Sequence, residues 1–540
     1  MSATIARHRP GQDRQNAGPD GFGRILRAEW IKFRTVRGWV IALVIAVVLM
    51  DLVGLFAGGQ VNTTCDNGGG KILHGAACVP PTPVGPGGEP VTDSFTFVHQ
   101  PLTGNGTITV RMTSLTGRYG GGAGPASQGP AAGSKIGVQP WSKAGIIIKQ
   151  NTWQGSAYAA MMITGSHGVR MQDDFTHDIA GLPGRVSARA PRWLRLTRSG
   201  ATITGYDSAD GRRWTEVGSA TLAGLSSTVQ AGLFVTSPAY NETTQSFGGT
   251  NGQIGPSLAT GTFDDVSLSG GRPGAAWAGY DVGNQDAFGA QSGRVESFQR
   301  AGGRFTVTGS GDIAPQVPGG GGGGLNSTIE DHLVGAFAAL IVMVVVGAMF
   351  MTAEYRRGLI RTTLAATPRR GRVLAAKAIV IAAVTFAAGL VAAVIAVAVG
   401  IRLSHDQGVY VFPVSWMTWL RVVAGTAAVL AVSSVLGLAL GTMLRRSAAA
   451  VAAAIVATVV PFLLGVAQLL PVGAAEWVLR VTPAAAFAIQ QSVPAYSQVL
   501  ANYTPPLYFP LPPLAGFGVL CGYAALALGL AFIALRRRDA

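Results

Sequence analysis

Trp39–Ala57, WVIALVIAVVLMDLVGLFA, contains a single ionisable residue, Asp51, and its reading decides what kind of chain this is. In hydrocarbon, each backbone N–H and C=O must find a partner within its own segment, so about 20 consecutive apolar residues read as a membrane-spanning helix. Five further runs meet the same test: Leu333–Ala353, Ala376–Gly400, Trp416–Leu444, Ser447–Leu470 and Leu514–Leu535. The expected fold class is a polytopic α-helical membrane protein with six transmembrane helices. Between helices 1 and 2 lies a long polar insertion, residues 60–331.

The charge pattern supports this reading. The chain has 540 residues and a formal net charge of +15, yet only 12% of its residues are charged and its mean hydropathy is +0.35. A net charge this basic alone would raise nucleic-acid binding. The basic residues, however, cluster where membrane topology puts them. Eight Lys/Arg precede the first span, seven lie in 354–377, Arg445 and Arg446 separate spans four and five, and Arg536–Arg538 close the chain. By the positive-inside rule both termini and the 354–377 loop are cytoplasmic and the insertion is extracellular, in the plasma membrane, with no nucleic-acid partner. The basic lead and the apolar run are both long for a cleaved signal, so span one is expected to remain. After a tail at 1–22, residues 23–38 place Leu26, Trp30 and Phe33 at helical spacing among basic residues. This pattern suits an amphipathic helix on anionic membrane lipid.

The insertion is built from short alternating runs: TITVRM at 107–112, GIIIKQ at 145–150, WLRLT at 193–197, ATITGY at 201–206, GLFVT at 232–236 and RFTVT at 304–308. Turn pairs such as Ser199-Gly200 and Asp210-Gly211 separate some of them, as in an antiparallel all-β sandwich. PGGGGGG at 318–324 reads as a flexible tether. Cys65 and Cys78, facing an oxidising compartment, are expected to close a disulfide loop. Asp173-Asp174 and Asp264-Asp265 flank turns or strand ends and read as solvated carboxylates, and His167 and His177 lack metal-ligand spacing, so no metal site is expected. Trp153, Trp193 and Trp214 are expected to pack into the core. No catalytic residues are visible.

WSKAGIIIKQ (141–150), WLRLTRSGATITGYDSADGRRWTEVG (193–218), AGLFVTS (231–237) and FDDVSLSG (263–270) resemble concanavalin A-like, laminin G-like jelly rolls. The resemblance implies a jelly roll over about 92–313 that could bind envelope glycan or protein. It departs from the pattern in one respect: residues 276–313 look like opening strands yet come last, which implies a permuted jelly roll.

The most informative cytoplasmic stretch is Glu354–Lys377, EYRRGLIRTTLAATPRRGRVLAAK. Gly358 can end the preceding helix, Thr367 can cap and Pro368 can open the next, leaving a short amphipathic piece at Leu359–Ala366. The stretch resembles the first cytoplasmic loop of ABC-2-type transporter permeases of the six-helix, actinobacterial kind. Glu354, Tyr355, Arg356, Gly358, Ile360, Arg361, Thr362, Thr363, Leu364, Pro368, Arg369, Arg370 and Lys377 match that pattern in order, and Glu29-Trp30 with Lys32 fits the leading helix. The resemblance implies that 354–377 couples to a separate cytoplasmic ATPase, with Leu359, Ile360 and Leu364 at the contact. It also implies a dimer with a second permease copy or a paralogue. No GxxxxGK[ST] phosphate loop occurs, so ATP and Mg would be bound by the partner and this chain needs no cofactor of its own. Asp51, as an intramembrane acid, is a candidate for the transport path. Gly437 and Gly441 form a small-residue pair suited to helix packing. The function these features imply is a permease subunit of an ATP-driven exporter. The alternative is a membrane-anchored, lectin-like surface protein without transport activity.

Overall fold

The computed structural model describes residues 21–58, 64–66, 72–74, 82–120, 134–246, 249–271, 276–283, 298–316, 326–356, 358–366, 369–466, 470–502 and 509–537. The helices are α1 (Phe22–Thr35), α2 (Arg37–Gly58), α3 (Ala336–Arg356), α4 (Leu359–Ala366), α5 (Arg370–Asp406), α6 (Trp416–Leu444), α7 (Ser447–Val466), α8 (Val472–Val481) and α9 (Pro513–Arg537). Among the described residues six helices are long and apolar enough to cross a membrane: α2, α3, α5, α6, α7 and α9. Several outrun their apolar stretch. α5 extends beyond 376–400 at both ends, because helical hydrogen bonding continues into polar sequence where nothing interrupts it.

α6 is the central helix and packs on α3, α5, α7 and α9. Its contact with α3 is close because glycines line it. A Cβ on Gly437 would stand 2.5 Å from Val344 O, one on Gly441 2.6 Å from Ala348 O, and one on Gly347 of α3 2.0 Å from Ser434 O. The Gly437/Gly441 pair is therefore spent on a seam within the chain. Between α7 and α9 lies a segment that no apolar run announced. α8 is followed by a 3₁₀ stretch, Pro483–Gln490, with residues 483–489 buried against α6, α7, α8 and α9, and then by a second 3₁₀ turn at Ser497–Asn502.

The insertion forms a 14-stranded sheet, antiparallel throughout its pairings. Its spine is the strand Phe95–Tyr119, which pairs with Arg192–Ser199, Thr228–Thr236, Ser257–Gly271 and Ala278–Val282. The sheet folds over on itself, and Gly205 leaves room where Met161 and Met171 cross from the opposite layer. Two late strands join it, Ala278–Val282 pairing with 95–99 and Arg304–Gly309 with 259–263, while Ile313–Pro315 pairs with 91–93 in a separate two-stranded sheet. Two buried lysines staple this closure. Lys149 Nζ is 2.7 Å from Asp93 Oδ2, both enclosed, and Lys143 Nζ is 2.7 Å from Asp312 Oδ1. Trp153 differs from expectation: it is 76% exposed, on a turn whose backbone is held by Asn151 Oδ1. The tether 318–324 and the Cys65–Cys78 pairing lie outside the described residues and side chains.

Candidate coupling site

The site is built where α1, α3, α4 and α5 meet. α3 ends at Arg356, and Gly358, at φ +70°, turns the chain in the left-handed conformation that glycine adopts without strain. α4 then occupies eight residues before α5 begins at Arg370. Thr362 and Thr363 donate their hydroxyls to Leu359 O, so the short helix meets part of its own hydrogen-bonding demand.

Four charges from three helices converge beneath α4. Lys377 of α5 is fully buried, with Nζ 2.6 Å from Glu29 Oε2 of α1 and 2.7 Å from Glu354 Oε1 of α3. Lys32 of α1 completes the set, 2.8 Å from Glu29 Oε1 and 3.2 Å from Glu354 Oε1. Two cations balance two carboxylates, as a charge cluster must to survive away from water. The Lys377 ammonium also lies 4.7 Å from the Phe350 ring centre, and Phe33 and Trp39 pack edge-on against that ring. Burial pulls the Lys32 pKa down, but its bonds and attraction to Glu29 and Glu354 outweigh this, leaving it above its ordinary value and the ammonium charged. Lys32 Nζ reaches 3.5 Å from Thr363 Oγ1, which ties the cluster to α4.

On α4 itself the two leading residues divide. Leu359 is 48% exposed, whereas Ile360 is 4% exposed and packs into the helix core. Tyr355 lies under the Arg445 guanidinium at 5.2 Å, and Arg370 Nη1 donates to Leu535 O, so the ends of α6 and α9 are drawn into the same layer. The sequence pattern matched to the description "ABC-2 family transporter protein" covers residues 155–540 of this chain.

The chain belongs to the ABC-2 transporter family. None of the curated proteins matches it. Among solved structures, similarity extends to a functionally unknown protein from Saccharomyces cerevisiae at 15% identity and TM-score 0.22, covering 38% of this chain and 90% of that one. It also extends to a scytalido-glutamic peptidase with a transition state analog inhibitor, at 10% identity and TM-score 0.22, covering 41% and 98%. A GH43 protein from Bacillus licheniformis follows at 13% identity and TM-score 0.16, covering 24% of each chain. TM-scores this low establish no shared architecture.

In this ABC-2 protein the residues singled out from sequence fall as follows. Glu354 and Lys377 lie in the ion cluster, Tyr355 against Arg445, Arg356 in the last turn of α3 and Gly358 at the break. Leu359, Ile360, Arg361 and Leu364 lie on α4, of which the side chains of Arg361 and Leu364 are outside the description. Arg369 precedes the first turn of α5, and Pro368 lies outside the described residues. Asp51 is half-buried on α2, and its buried Oδ1 has no hydrogen-bond partner among the described residues. On α1, Leu26 and Phe33 face the core, but Trp30 points away from it and Glu29 takes the buried position beside Phe33. Sequence reading noted Glu29, Lys32, Glu354 and Lys377 singly and missed that they form one cluster. The available signal was a lysine entering an apolar run, which in a membrane helix demands a partner. Asp264 pairs with Arg304 and Arg111, and Asp173 with His177; no group of three or more metal-ligating side chains occurs among the described residues.

Proposed function

We propose that this chain is the membrane-spanning permease subunit of an ATP-driven exporter, joined through α4 to a separate cytoplasmic ATPase that binds ATP and Mg. The observation that carries this reading is the ion cluster. A surface helix that receives a push from a motor must be fixed to the spanning helices, and α4 rests on charges contributed by α1, α3 and α5. Nucleotide-driven closure of the ATPase against Leu359 would move α4, and the cluster would carry that displacement into α3 and α5 as a unit. Family membership supports the assignment, and anchoring a surface domain alone would need only one of the six span-capable helices. On this reading both termini and α4 are cytoplasmic, the β-rich domain is extracellular, and the permease functions as a dimer with a second copy or a paralogue. The β domain, read as a permuted jelly roll, would engage envelope glycan or protein, and the basic face of α1 would rest on anionic lipid.

Affinity purification from solubilised membranes tests the central claim. The wild-type chain should retain a subunit carrying a GxxxxGK[ST] phosphate loop, and Leu359→Glu should lose it while keeping its own melting temperature. Ile136→Glu, at a fully exposed position of the β domain, should retain the subunit. Retention of the ATPase by Leu359→Glu would remove α4 as the coupling element.

A further inference from the structure

Beyond its chain connections, the β domain meets the helix bundle where Tyr410, between α5 and α6, donates its hydroxyl to Gly88 O at 2.7 Å, and along an arm, residues 490–499, which has two faces. On one face Gln498, buried, accepts from Gln172 Nε2 at 2.6 Å and donates to Phe175 O, while Ser497 Oγ donates to Asp178 Oδ2 at 2.8 Å. Val499 and Tyr496 pack against Ala314. On the other face Gln490 Nε2 donates to Thr426 Oγ1 at 3.1 Å, and Arg421 Nη2 donates to Gln491 O at 2.7 Å, both partners lying on the central helix α6. Between the two faces, Ser492 binds a single acid. Its N–H donates to Glu330 Oε1 at 2.9 Å and its hydroxyl to Glu330 Oε2. Glu330 sits shortly before α3, partly buried where the arm meets the bundle.

The charged groups that face Glu330 are few. Asp331 is its neighbour in the chain, Arg421 approaches from α6, and the arm contributes only the Ser492 N–H and O–H. A cavity of about 50 Å³ lies beside the arm, lined by Ser492, Tyr496 and Pro413 and by Glu89 and Gln316 of the β domain. A space of that size has room for water to reach the junction.

We propose that Glu330 is a proton-operated latch: protonated, it holds the arm, and the β domain seated on it, against α6 and the start of α3, and as a bare carboxylate it loosens that seat. Burial pushes the Glu330 carboxyl up to about 7 from an ordinary 4.5, against the pull of the two Ser492 bonds. The sign follows from linkage. A carboxyl whose pKa is higher when seated than when free favours the seated state fully below its free value. That preference is lost as pH rises from about 4.5 to about 7.

Hydrogen exchange of the full chain in lipid nanodiscs tests this. Corrected for intrinsic rates, the backbone amides of 491–499 should exchange at least roughly tenfold faster at about pH 8 than at about pH 5. Glu330→Gln and Glu330→Leu, which cannot titrate, should each abolish that difference, and Asp331→Asn should keep it. Protection in α6 reports that each variant is folded. Wild-type protection that does not change with pH, or a pH response that survives in a folded Glu330 variant, would overturn the latch.

Discussion

Lys377 and Glu29 are 348 residues apart in the chain, and their charged atoms are 2.6 Å apart. One stands near the start of the longest helix and the other on the helix that precedes the first span, so their contact closes the layer that supports α4. Glu354 joins the same ammonium from α3, and its second oxygen, Oε2, is buried without a partner among the described residues. The cluster is thus balanced in charge but not saturated in hydrogen bonds. Such a network is sensitive to the loss of any one member.

Lys377→Met is therefore expected to be strongly destabilising. It leaves Glu29 and Glu354 facing each other with only Lys32, which is partly open to solvent, between them. Removing one partner of a buried ion pair typically costs about 3–5 kcal/mol, because a charge is stranded. The combined variant Glu29→Gln, Glu354→Gln, Lys377→Met should be milder than Lys377→Met alone. Thermal unfolding in detergent checks the ordering; a neutral Lys377→Met, or a triple variant worse than the single, would contradict it.

The six spanning helices were legible because hydrocarbon leaves an apolar run no other structure, and α4 was legible because Gly358 interrupts a basic stretch. Six of the 14 strands of the large sheet announced themselves as short alternating runs. What stayed hidden depends on partners distant in sequence. Lys143 and Lys149 flank the apolar run of WSKAGIIIKQ, yet both are enclosed, and nothing near them in sequence names Asp312 or Asp93. PAAAFAIQ at 483–490 is too short to span and too irregular for a period, and tertiary packing alone buries it. Glu29 was noted only with Trp30 and Lys32 as fitting the leading helix; that it is buried follows from Lys377, which lies 348 residues away in sequence.

The α3–α6 seam should tolerate no side chain at its glycines. A Cβ at Gly437 or Gly441 meets backbone carbonyl oxygens of α3, which cannot move aside as a flexible side chain would. Gly437→Val or Gly441→Leu should lose roughly 1–3 kcal/mol or more through overpacking. Gly522→Ala on α9, where nothing lies within 4 Å, should be neutral or stabilising by up to about 1 kcal/mol from helix propensity. Melting temperatures of these variants measured side by side decide it.

Closure of the β domain by its last strands should be essential to its stability. Asp312→Ala strands the fully buried Lys143, and Asp93→Ala strands Lys149 and frees the Gly155 N–H that Asp93 Oδ2 accepts at 2.8 Å. Each should cost about 3–5 kcal/mol. Deleting 276–313 removes three pairings at once, with 95–99, with 259–263 and, at residue 313, with Asp93. The expected result is loss of the cooperative β-type melting transition in circular dichroism of the full chain. Retention of that transition would show that these strands are an appendage.

Asp178 should set the acid limit of the same seat that Glu330 limits on the alkaline side. Burial raises its pKa, but hydrogen bonds from Arg170 and from Ser497 on the arm outweigh burial and hold it below the usual 3.8. A lowered pKa reverses the sign worked out for Glu330: the share of the lowering that Ser497 supplies favours the seated arm while Asp178 is ionised, and it is lost as pH falls through the lowered seated value. Protection of 491–499 against exchange should therefore peak in mildly acidic solution. It should fall toward neutrality through Glu330 and fall again in strong acid through Asp178. Asp178→Asn should remove only the acid limb and weaken the seat at the peak by about 1.5–3 kcal/mol, the worth of hydrogen bonds to a charged group. Glu330→Gln should remove only the other limb. If either substitution moves both limbs together, the two acids are not acting as separate contacts on one arm, and the seat instead responds to pH as a whole.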